Sequence, residues 1–221
     1  MGIKYRCLVL DHDDTAVMST PDIHYPSFVQ ALRKLRPDEE PITLEEFITH
    51  CFNPGFAFLC DDILKMTREE QDYQYEVWYN NAKSIIPDFY PGIKELLVEF
   101  REAGGLITVV SHSDKENIER DYREKIGLVP DLIFGWEKEE SRRKPSPYPL
   151  AEILRSFNLK EWEALVVDDL KPGLMMAKSC GVDFAAAGWS HQIEEIRDYM
   201  KANSDYYFGT VEELKSYLLD E

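Results

Sequence analysis

Positive charge is scarce in this chain. It carries 25 lysines and arginines against 42 acidic residues, which gives a formal net charge of −17 and an isoelectric point near 4.7. Proteins that bind nucleic acid neutralise backbone phosphates with lysine and arginine, so the composition excludes that class of partner. The same negative field slows the approach of an anionic substrate. Any phosphate site must therefore carry its own local positive charge or a metal ion.

Long hydrophobic runs are also lacking. No apolar stretch approaches the roughly 18 residues of a membrane-spanning helix, and the first residues lack the apolar segment of a signal peptide. The four cysteines (Cys7, Cys51, Cys60 and Cys180) are too scattered for a disulfide or zinc framework. We interpret them as small, mostly buried hydrophobic side chains in a reducing compartment. These observations predict a cytoplasmic protein without membrane contact.

The chain contains neither internal repeats nor a low-complexity linker, and 221 residues suffice for one core domain with a small insertion. Short apolar runs alternate with segments of helical periodicity. Such alternation predicts an α/β fold, a Rossmann-like doubly wound parallel sheet. The predicted strands are 5–10, 106–110, 132–134, 164–167, 184–187 and 206–208. One predicted helix ends near residue 104. Three others cover about 115–126, 149–157 and 172–180.

One block has helical signals only. Thr43 followed by Glu46 has the spacing of a capping box, and Thr67 followed by two glutamates is typical of a helix start. No strand-like run occurs in this block, which predicts a smaller all-helical domain inserted into the core. The expected division is 1–16 with 88–221 for the α/β core and 17–87 for the helical insertion.

The first apolar run ends abruptly in Asp11-His12-Asp13-Asp14-Thr15. Carboxylates crowded at the end of a buried strand repel one another and lose hydration, and a cation usually offsets that cost. Ligands of open parallel sheets also bind at the carboxyl ends of the strands. Aspartate is also common in solvated turns, so a simple turn is the competing interpretation of this cluster alone.

Three further signals follow in order: Ser111-His112-Ser113 after the run 106–110, Lys144-Pro145-Ser146-Pro147, and Asp168-Asp169 after the run 164–167. No single motif is specific. Together with Asp11-x-Asp13-x-Thr15, however, the ordered set resembles the haloacid dehalogenase-like superfamily of phosphohydrolases. The resemblance covers nearly all of the chain outside about 17–87. It implies a Rossmann-like core with the helical block as a cap inserted after the first motif.

The resemblance implies a magnesium-dependent phosphomonoesterase that acts on a small phosphorylated metabolite. Asp11 is the candidate nucleophile, forming an aspartyl-phosphate, and Asp13 the candidate general acid and base. A role for Asp13 as a metal ligand only is the alternative. Mg²⁺ is expected on the carboxylates of Asp11 and Asp169 and the backbone carbonyl of Asp13. Asp168 is either a further ligand or a partner of the ligands.

The phosphate-binding candidates are Ser111, His112 and Lys144. Ser111 would donate to phosphoryl oxygens, and His112, which replaces a frequent asparagine of the family, is expected to touch substrate. Lys144 would act as a point charge on the phosphoryl group. The neighbouring Arg142 and Arg143 compete for that role. Two prolines stiffen the chain directly after Lys144, which favours the lysine.

The first motif departs from the family pattern at two positions. Asp14 stands where the family usually has glycine, and aspartate tolerates unusual backbone angles better than most residues. His12 replaces a common aromatic or apolar residue. It alternates away from the reacting acids, and we therefore expect it to pack or to exert a modest pH influence, without a catalytic role.

Substrate specificity is expected to come from the helical block, where His50, Asn53 and Phe56 are the candidates. The stretch 50–58 has aromatic and amide groups but neither lysine nor arginine. A substrate with a second anionic group would need a fork of positive charge, so this stretch favours a neutral leaving group. Packing of the phenylalanines inside the helical block is the competing interpretation.

Three alternative functions can be compared with this pattern. A dehalogenase would keep the nucleophile but would not need Asp13. A phosphosugar mutase would use the same core residues, so the motifs do not exclude it. A non-catalytic binding or regulatory protein on this fold would be expected to lack Asp11 or Asp13, and both are present. The oligomeric state has no signal in the sequence.

Overall fold

The computed structural model of the protein describes residues 2–220, which form two compact units. The first comprises the described residues up to Val17 together with those from Phe89 onward, and the second is Met18–Asp88. Each boundary lies one residue from the position expected from the sequence. The role of the second unit as a cap remains a prediction.

The first unit is built on a parallel sheet. Its six strands lie in the order β4-β3-β2-β5-β6-β7, and every neighbouring pair is parallel, which confirms the predicted α/β class. A separate antiparallel pair, β1 with β8, was not predicted. The strands are β1 (Gly2–Ile3), β2 (Cys7–Leu10), β3 (Leu106–Val110), β4 (Leu132–Phe134), β5 (Ala164–Asp168), β6 (Asp183–Ala187), β7 (Tyr206–Phe208) and β8 (Leu219–Asp220).

All regular secondary structure of the second unit, Met18–Asp88, is helical. Thr43 and Thr67 both cap helices with complete capping boxes, which confirms the two predicted helix starts. Phe28 and Phe47 pack with ring centroids 5.0 Å apart in its apolar core. The helices are α1 (Tyr25–Leu35), α2 (Leu44–Phe52), α3 (Phe56–Phe58) and α4 (Arg68–Ser84), with π-helical turns at Thr20–His24 and Leu59–Ile63.

Six helices accompany the sheet of the first unit: α5 (Ile93–Glu102), α6 (Lys115–Asp121), α7 (Tyr148–Ser156), α8 (Lys171–Cys180), α9 (Glu194–Asn203) and α10 (Val211–Leu218). A π-helical turn, Tyr122–Ile126, extends α6 to the predicted end. The first four helices confirm the sequence pattern. Within residues 2–220, no helix combines the length and hydrophobicity needed to cross a bilayer.

The strand register brings the polar motifs to one edge of the sheet. Leu10, the last residue of β2, pairs with Val109 of β3 on one side and Val167 of β5 on the other. The residues that follow these strands therefore emerge side by side. Because every residue of β2 and β5 is buried, the acids at their ends begin in a desolvated environment.

Candidate active site

Three buried carboxylates meet at the carboxyl end of the sheet. One oxygen from each of Asp11, Asp168 and Asp169 lies within 4.8 Å of the other two. Asp168 is the last residue of β5, whereas Asp169 lies beyond it. The chain has left the extended conformation between the two acids, so the alternation of a strand no longer separates them. Both members of the acidic pair thus belong to one cluster.

Lys144 supplies the positive charge of this cluster. Its Nζ lies 2.6 Å from Oδ1 of Asp11 and 2.7 Å from Oδ2 of Asp168, and the lysine is buried. Arg142 instead lies 3.9 Å from Glu139, and the guanidinium of Arg143 lies 3.8 Å from the ring centroid of Trp136. Of the three consecutive basic residues, only Lys144 contacts the carboxylates.

The pKa values show that negative charge is in excess. Burial raises the pKa of Asp11 well above its usual value, although the Lys144 charge opposes the shift. Burial likewise raises the pKa of Asp168 to about 6, against the effects of Lys144 and the Leu170 amide. For Lys144, burial lowers the pKa, but the two aspartates outweigh burial and raise it. One buried ammonium therefore does not compensate three buried carboxylates.

The donor set of the cluster fits a hard divalent cation. Oδ1 of Asp11 is buried and lacks a well-aligned hydrogen-bond donor among the described residues, with the Lys144 ammonium 2.6 Å away. Carboxylate oxygens are the ligands that Mg²⁺ prefers, and a second positive charge would compensate the remaining carboxylates. In the described part of the chain, the carboxylate of Asp13 is not a member of the cluster formed by Asp11, Asp168 and Asp169.

Asp13 is held by two serines. Its Oδ2 accepts hydrogen bonds from Ser111 Oγ at 3.1 Å and Ser113 Oγ at 2.7 Å. The backbone amide of Ser113 donates to Ser111 Oγ at 3.2 Å, which locks the turn after β3. Ser113 was not predicted as a site residue, although its position two residues after Ser111 was visible in the sequence. The phosphate-binding role of Ser111 remains a prediction.

His112 contacts the main chain of Lys144. Its Nε2 donates to the Lys144 carbonyl at 2.8 Å, since a carbonyl only accepts. Burial and, next, the Lys144 charge lower the pKa of His112 to about 4, so the ring is neutral at pH 7. The imidazole therefore supports the loop that carries Lys144. Its expected contact with substrate remains a prediction.

Asp169 has two partners that the motifs did not reveal. Thr15 Oγ1 donates to its Oδ1 at 3.1 Å, and Nε2 of His191 lies 2.6 Å from its Oδ2. Burial lowers the pKa of the His191 imidazole, but the hydrogen bond and charge of Asp169, together with the charge of Asp14, outweigh burial and raise it. The only signal for His191 in the sequence is its place shortly after the predicted strand 184–187.

Gly173 makes room for the acidic pair. A methyl group on its Cα would overlap with the carboxylate of Asp168. Any larger residue at this position of α8 would displace Asp168 from Lys144. A glycine a few residues after the acidic pair is therefore a steric requirement of the site.

The two departures in the first motif have clear structural consequences. Asp14 has a φ of 58°, so aspartate takes the left-handed turn that the family usually makes with glycine. His12 is buried, with Nε2 at 3.2 Å from Oδ2 of Asp121, and its ring lies near those of Phe89 and Tyr122. His12 thus packs against these rings, away from the reacting acids Asp11 and Asp13, as expected from the alternation of side chains along the chain.

The three specificity candidates lie in the helical unit. His50 belongs to α2, Asn53 follows that helix and is exposed, and Phe56 begins α3. The ring of Phe56 lies 6.1 Å from that of Phe28 and 6.0 Å from that of Phe47, both edge-on. Phe56 therefore packs on the apolar core of its own unit, and the specificity role of all three residues remains a prediction.

Known proteins are similar in sequence over most of this chain. The family model for haloacid dehalogenase-like hydrolases matches residues 8–187. A protein of Caldanaerobacter subterraneus subsp. tengcongensis named as a candidate pyrophosphatase, PpaX, is 27% identical over 93% of this chain and 90% of its own length. Phosphoglycolate phosphatase of Vibrio parahaemolyticus is 22% identical over 95% of this chain and 94% of its own length.

Solved structures share the fold. The crystal structure of CbbY from Rhodobacter sphaeroides in complex with phosphate has a TM-score of 0.70 and 20% identity. It covers 95% of this chain, and this chain covers 96% of it. The family match and the phosphatase relatives identify the chain as a phosphoric monoester hydrolase. The chain belongs to the haloacid dehalogenase-like hydrolase family.

Proposed function

We propose that the protein hydrolyses a small phosphomonoester in two steps, through a phosphorylated Asp11, with Mg²⁺ as cofactor. The observation that carries the proposal is the ion pair between Asp11 and Lys144 at 2.6 Å. Two residues after Asp11 in the chain, Asp13 accepts a hydrogen bond from Ser113. A nucleophile, a fixed cation and a candidate acid thus lie on one buried edge of the sheet. Phosphoryl transfer needs positioning and charge compensation above all, and this edge supplies both.

In the first step a carboxylate oxygen of Asp11 attacks phosphorus, and the bond from phosphorus to the ester oxygen breaks. Asp13, as the neutral acid, gives its proton to that leaving oxygen. Lys144 lies against Asp11 and stabilises the negative charge that gathers on the transferring phosphoryl group. The product alcohol leaves, and Asp11 carries an acyl phosphate.

In the second step Asp13, now a carboxylate, takes a proton from water, whose oxygen attacks phosphorus. The bond from phosphorus to Asp11 breaks, which returns the Asp11 carboxylate, the Asp13 acid and inorganic phosphate. Ser111 and Ser113 hold Oδ2 of Asp13 during both transfers and thereby fix where its proton is given and taken. The serines are the reason why Asp13 fits this role better than that of a metal-ligating side chain.

Asp11, Asp168 and Asp169 would hold the Mg²⁺ ion, with the Asp13 carbonyl as the family resemblance implies. When bound, the ion supplies positive charge that offsets repulsion between carboxylate and phosphate. Thr15 contacts one carboxylate oxygen of Asp169 and His191 contacts the other, so the Asp169 carboxylate has little freedom to rotate.

The substrate class follows the named relatives. Phosphoglycolate phosphatases recur among them, and one solved structure of CbbY holds xylulose-1,5-bisphosphate. We propose a small phosphorylated metabolite, in the cytoplasm, where the four free cysteines would stay reduced. Phosphate release should be measured over a panel that includes phosphoglycolate, pyrophosphate, sugar phosphates and nucleotides, with and without Mg²⁺.

Trapping identifies the nucleophile directly. Hydroxylamine added during turnover converts an acyl phosphate into a hydroxamate, and peptide mass analysis should locate that group on Asp11. Modification elsewhere, or none under conditions of rapid turnover, contradicts the covalent route. A phosphosugar mutase would use the same residues, so sugar phosphates should also be incubated with a bisphosphate and inspected for isomerised product.

A further inference from the structure

The guanidinium of Arg143 is held at the catalytic edge of the sheet without a carboxylate partner. Its carbon lies 3.8 Å from the ring centroid of Trp136, a contact that stacks a cation on an aromatic face. Within the described chain it forms no ion pair, and its buried Nε has no hydrogen-bond acceptor.

The loops place this stacked pair beside the reacting groups. The amide of Trp136, just after β4, donates to the Ser113 carbonyl at 2.9 Å, so the turns after β3 and β4 are joined. The ring of His112 meets Trp136 edge-on at 5.9 Å while its Nε2 binds the Lys144 carbonyl. Arg143 thus belongs to the same group of loops as Asp13 and Lys144.

Arg143 and Lys144 are consecutive, with Cα atoms about 3.8 Å apart, but their side chains have different surroundings. Lys144 is buried among carboxylates, whereas Arg143 is partly exposed on a Trp136 ring that is itself 42% exposed. The loop that carries Lys144 thus holds a second cation at the next position along the chain, and the charges of both residues act on the pKa of His112. The guanidinium offers a planar fork that matches an oxyanion with two donors at once.

We propose that Arg143, stacked on Trp136, is a specificity residue that binds a second anionic group, a carboxylate or a second phosphate, on the organic part of the substrate. This inference rests on the proposed function, because it assumes that the phosphoryl group lies at Asp11 and Lys144. It reverses the expectation of a neutral leaving group, which considered only the stretch 50–58. The required positive fork lies in the core.

Three ligands on the same two-carbon frame test the proposal. Phosphoglycolate carries a carboxylate, ethane-1,2-diol bisphosphate a second phosphate, and 2-hydroxyethyl phosphate a neutral hydroxyl. Binding should be measured by calorimetry in the Asp11→Asn background with Mg²⁺ present, so that none is hydrolysed. Two affinity ratios are measured. One is the affinity for phosphoglycolate, and the other is the affinity for ethane-1,2-diol bisphosphate, each divided by the affinity for 2-hydroxyethyl phosphate.

We expect Arg143→Gln to lower at least one of these ratios tenfold or more, and the ligand affected identifies the second group as carboxylate or phosphate. Trp136→Leu should lower the same ratio, because it removes the platform under the guanidinium, and it decides the matter if Arg143→Gln does not fold. The matched control is Arg142→Gln, whose guanidinium lies 3.9 Å from Glu139 and should leave the ratios within twofold.

Equal weakening of all three ligands by Arg143→Gln would mean a diffuse electrostatic effect and overturn the proposal, as would unchanged ratios. The binding arm does not depend on turnover. If the wild type releases phosphate from no member of the substrate panel, the proposed function fails while the affinity ratios still decide the role of Arg143. Conversely, unchanged ratios with normal turnover overturn only the role of Arg143.

Discussion

Replacing Lys144 by alanine removes the cation that contacts both Asp11 and Asp168. The ammonium lies 2.6 Å from Asp11 and 2.7 Å from Asp168, and all three side chains are buried. Its loss leaves two carboxylates facing each other without compensation. We expect the free energy of unfolding to fall by about 3–5 kcal/mol at pH 7.5, the usual cost of an unpaired buried charge.

This loss has a characteristic pH dependence. Without Lys144, the pKa values of Asp11 and Asp168 in the folded protein should rise further above the unfolded value of 3.8. Between the unfolded and folded values the native state then binds protons that the unfolded state does not, so stability increases as the pH falls. The penalty should therefore be large at pH 7.5 and smaller at pH 5. The rate of phosphate release should fall by about 10²–10³ or more at pH 7.5.

Urea unfolding at both pH values measures the stability, and initial rates of phosphate release measure the activity. Lys144→Met retains the apolar length of the side chain and separates lost charge from lost packing. Arg142→Ala is the matched control, since its exposed contact with Glu139 at 3.9 Å should contribute less than about 1 kcal/mol. A Lys144→Ala protein with unchanged unfolding midpoints and near-normal rates would refute the charge argument.

Four further outcomes are expected. Asp11→Asn should reduce phosphate release below about 1% of wild type with the fold intact, as circular dichroism would check, and higher activity would exclude Asp11 as the nucleophile. Chelator followed by dialysis should abolish activity, Mg²⁺ should restore it and Ca²⁺ should restore it poorly; full activity in chelator contradicts the metal requirement. The pKa of His112 is about 4 in the folded protein and 6.5 in the unfolded chain. Lowering the pH from 6.5 to 4 should therefore reduce the free energy of unfolding of the wild type by up to about 3 kcal/mol relative to His112→Gln. Free energies of unfolding that change in parallel with pH in the two proteins would contradict this prediction. His191→Ala should weaken Mg²⁺ binding, measured by calorimetry, about tenfold through a loosened Asp169, and an unchanged affinity would assign His191 to packing alone.

The strands were predictable because buried parallel strands are continuous apolar runs. β2 and β5 have no exposed position, and their composition marks them without any alternation. β1 and β8 have two residues each, too few for any periodicity. Helix α9 buries Ile196 and Met200 at helical spacing, so a closer search of that segment would have detected it.

The reacting acids were predictable because each follows directly on a strand. Their partners were not, since the hydrogen bond of Thr15 to Asp169 joins residues 154 positions apart and nothing local to either residue requires it. His191 lies in the loop between β6 and α9 and belongs to no motif. It reaches Asp169 only because β6 pairs with β5, and that pairing exists in the fold and not in the local sequence.

The basic triplet shows why residue type alone did not define specificity. Arg142, Arg143 and Lys144 carry the same charge, yet one contacts a surface glutamate, one stacks on Trp136, and one is buried among aspartates. Burial determines the difference, because a desolvated cation must be matched by carboxylates whereas a stacked guanidinium keeps its donors for another anion. The shortage of positive charge in this chain makes each basic residue at the sheet edge more consequential, and the proposed role of Arg143 would place part of the substrate selection in the core.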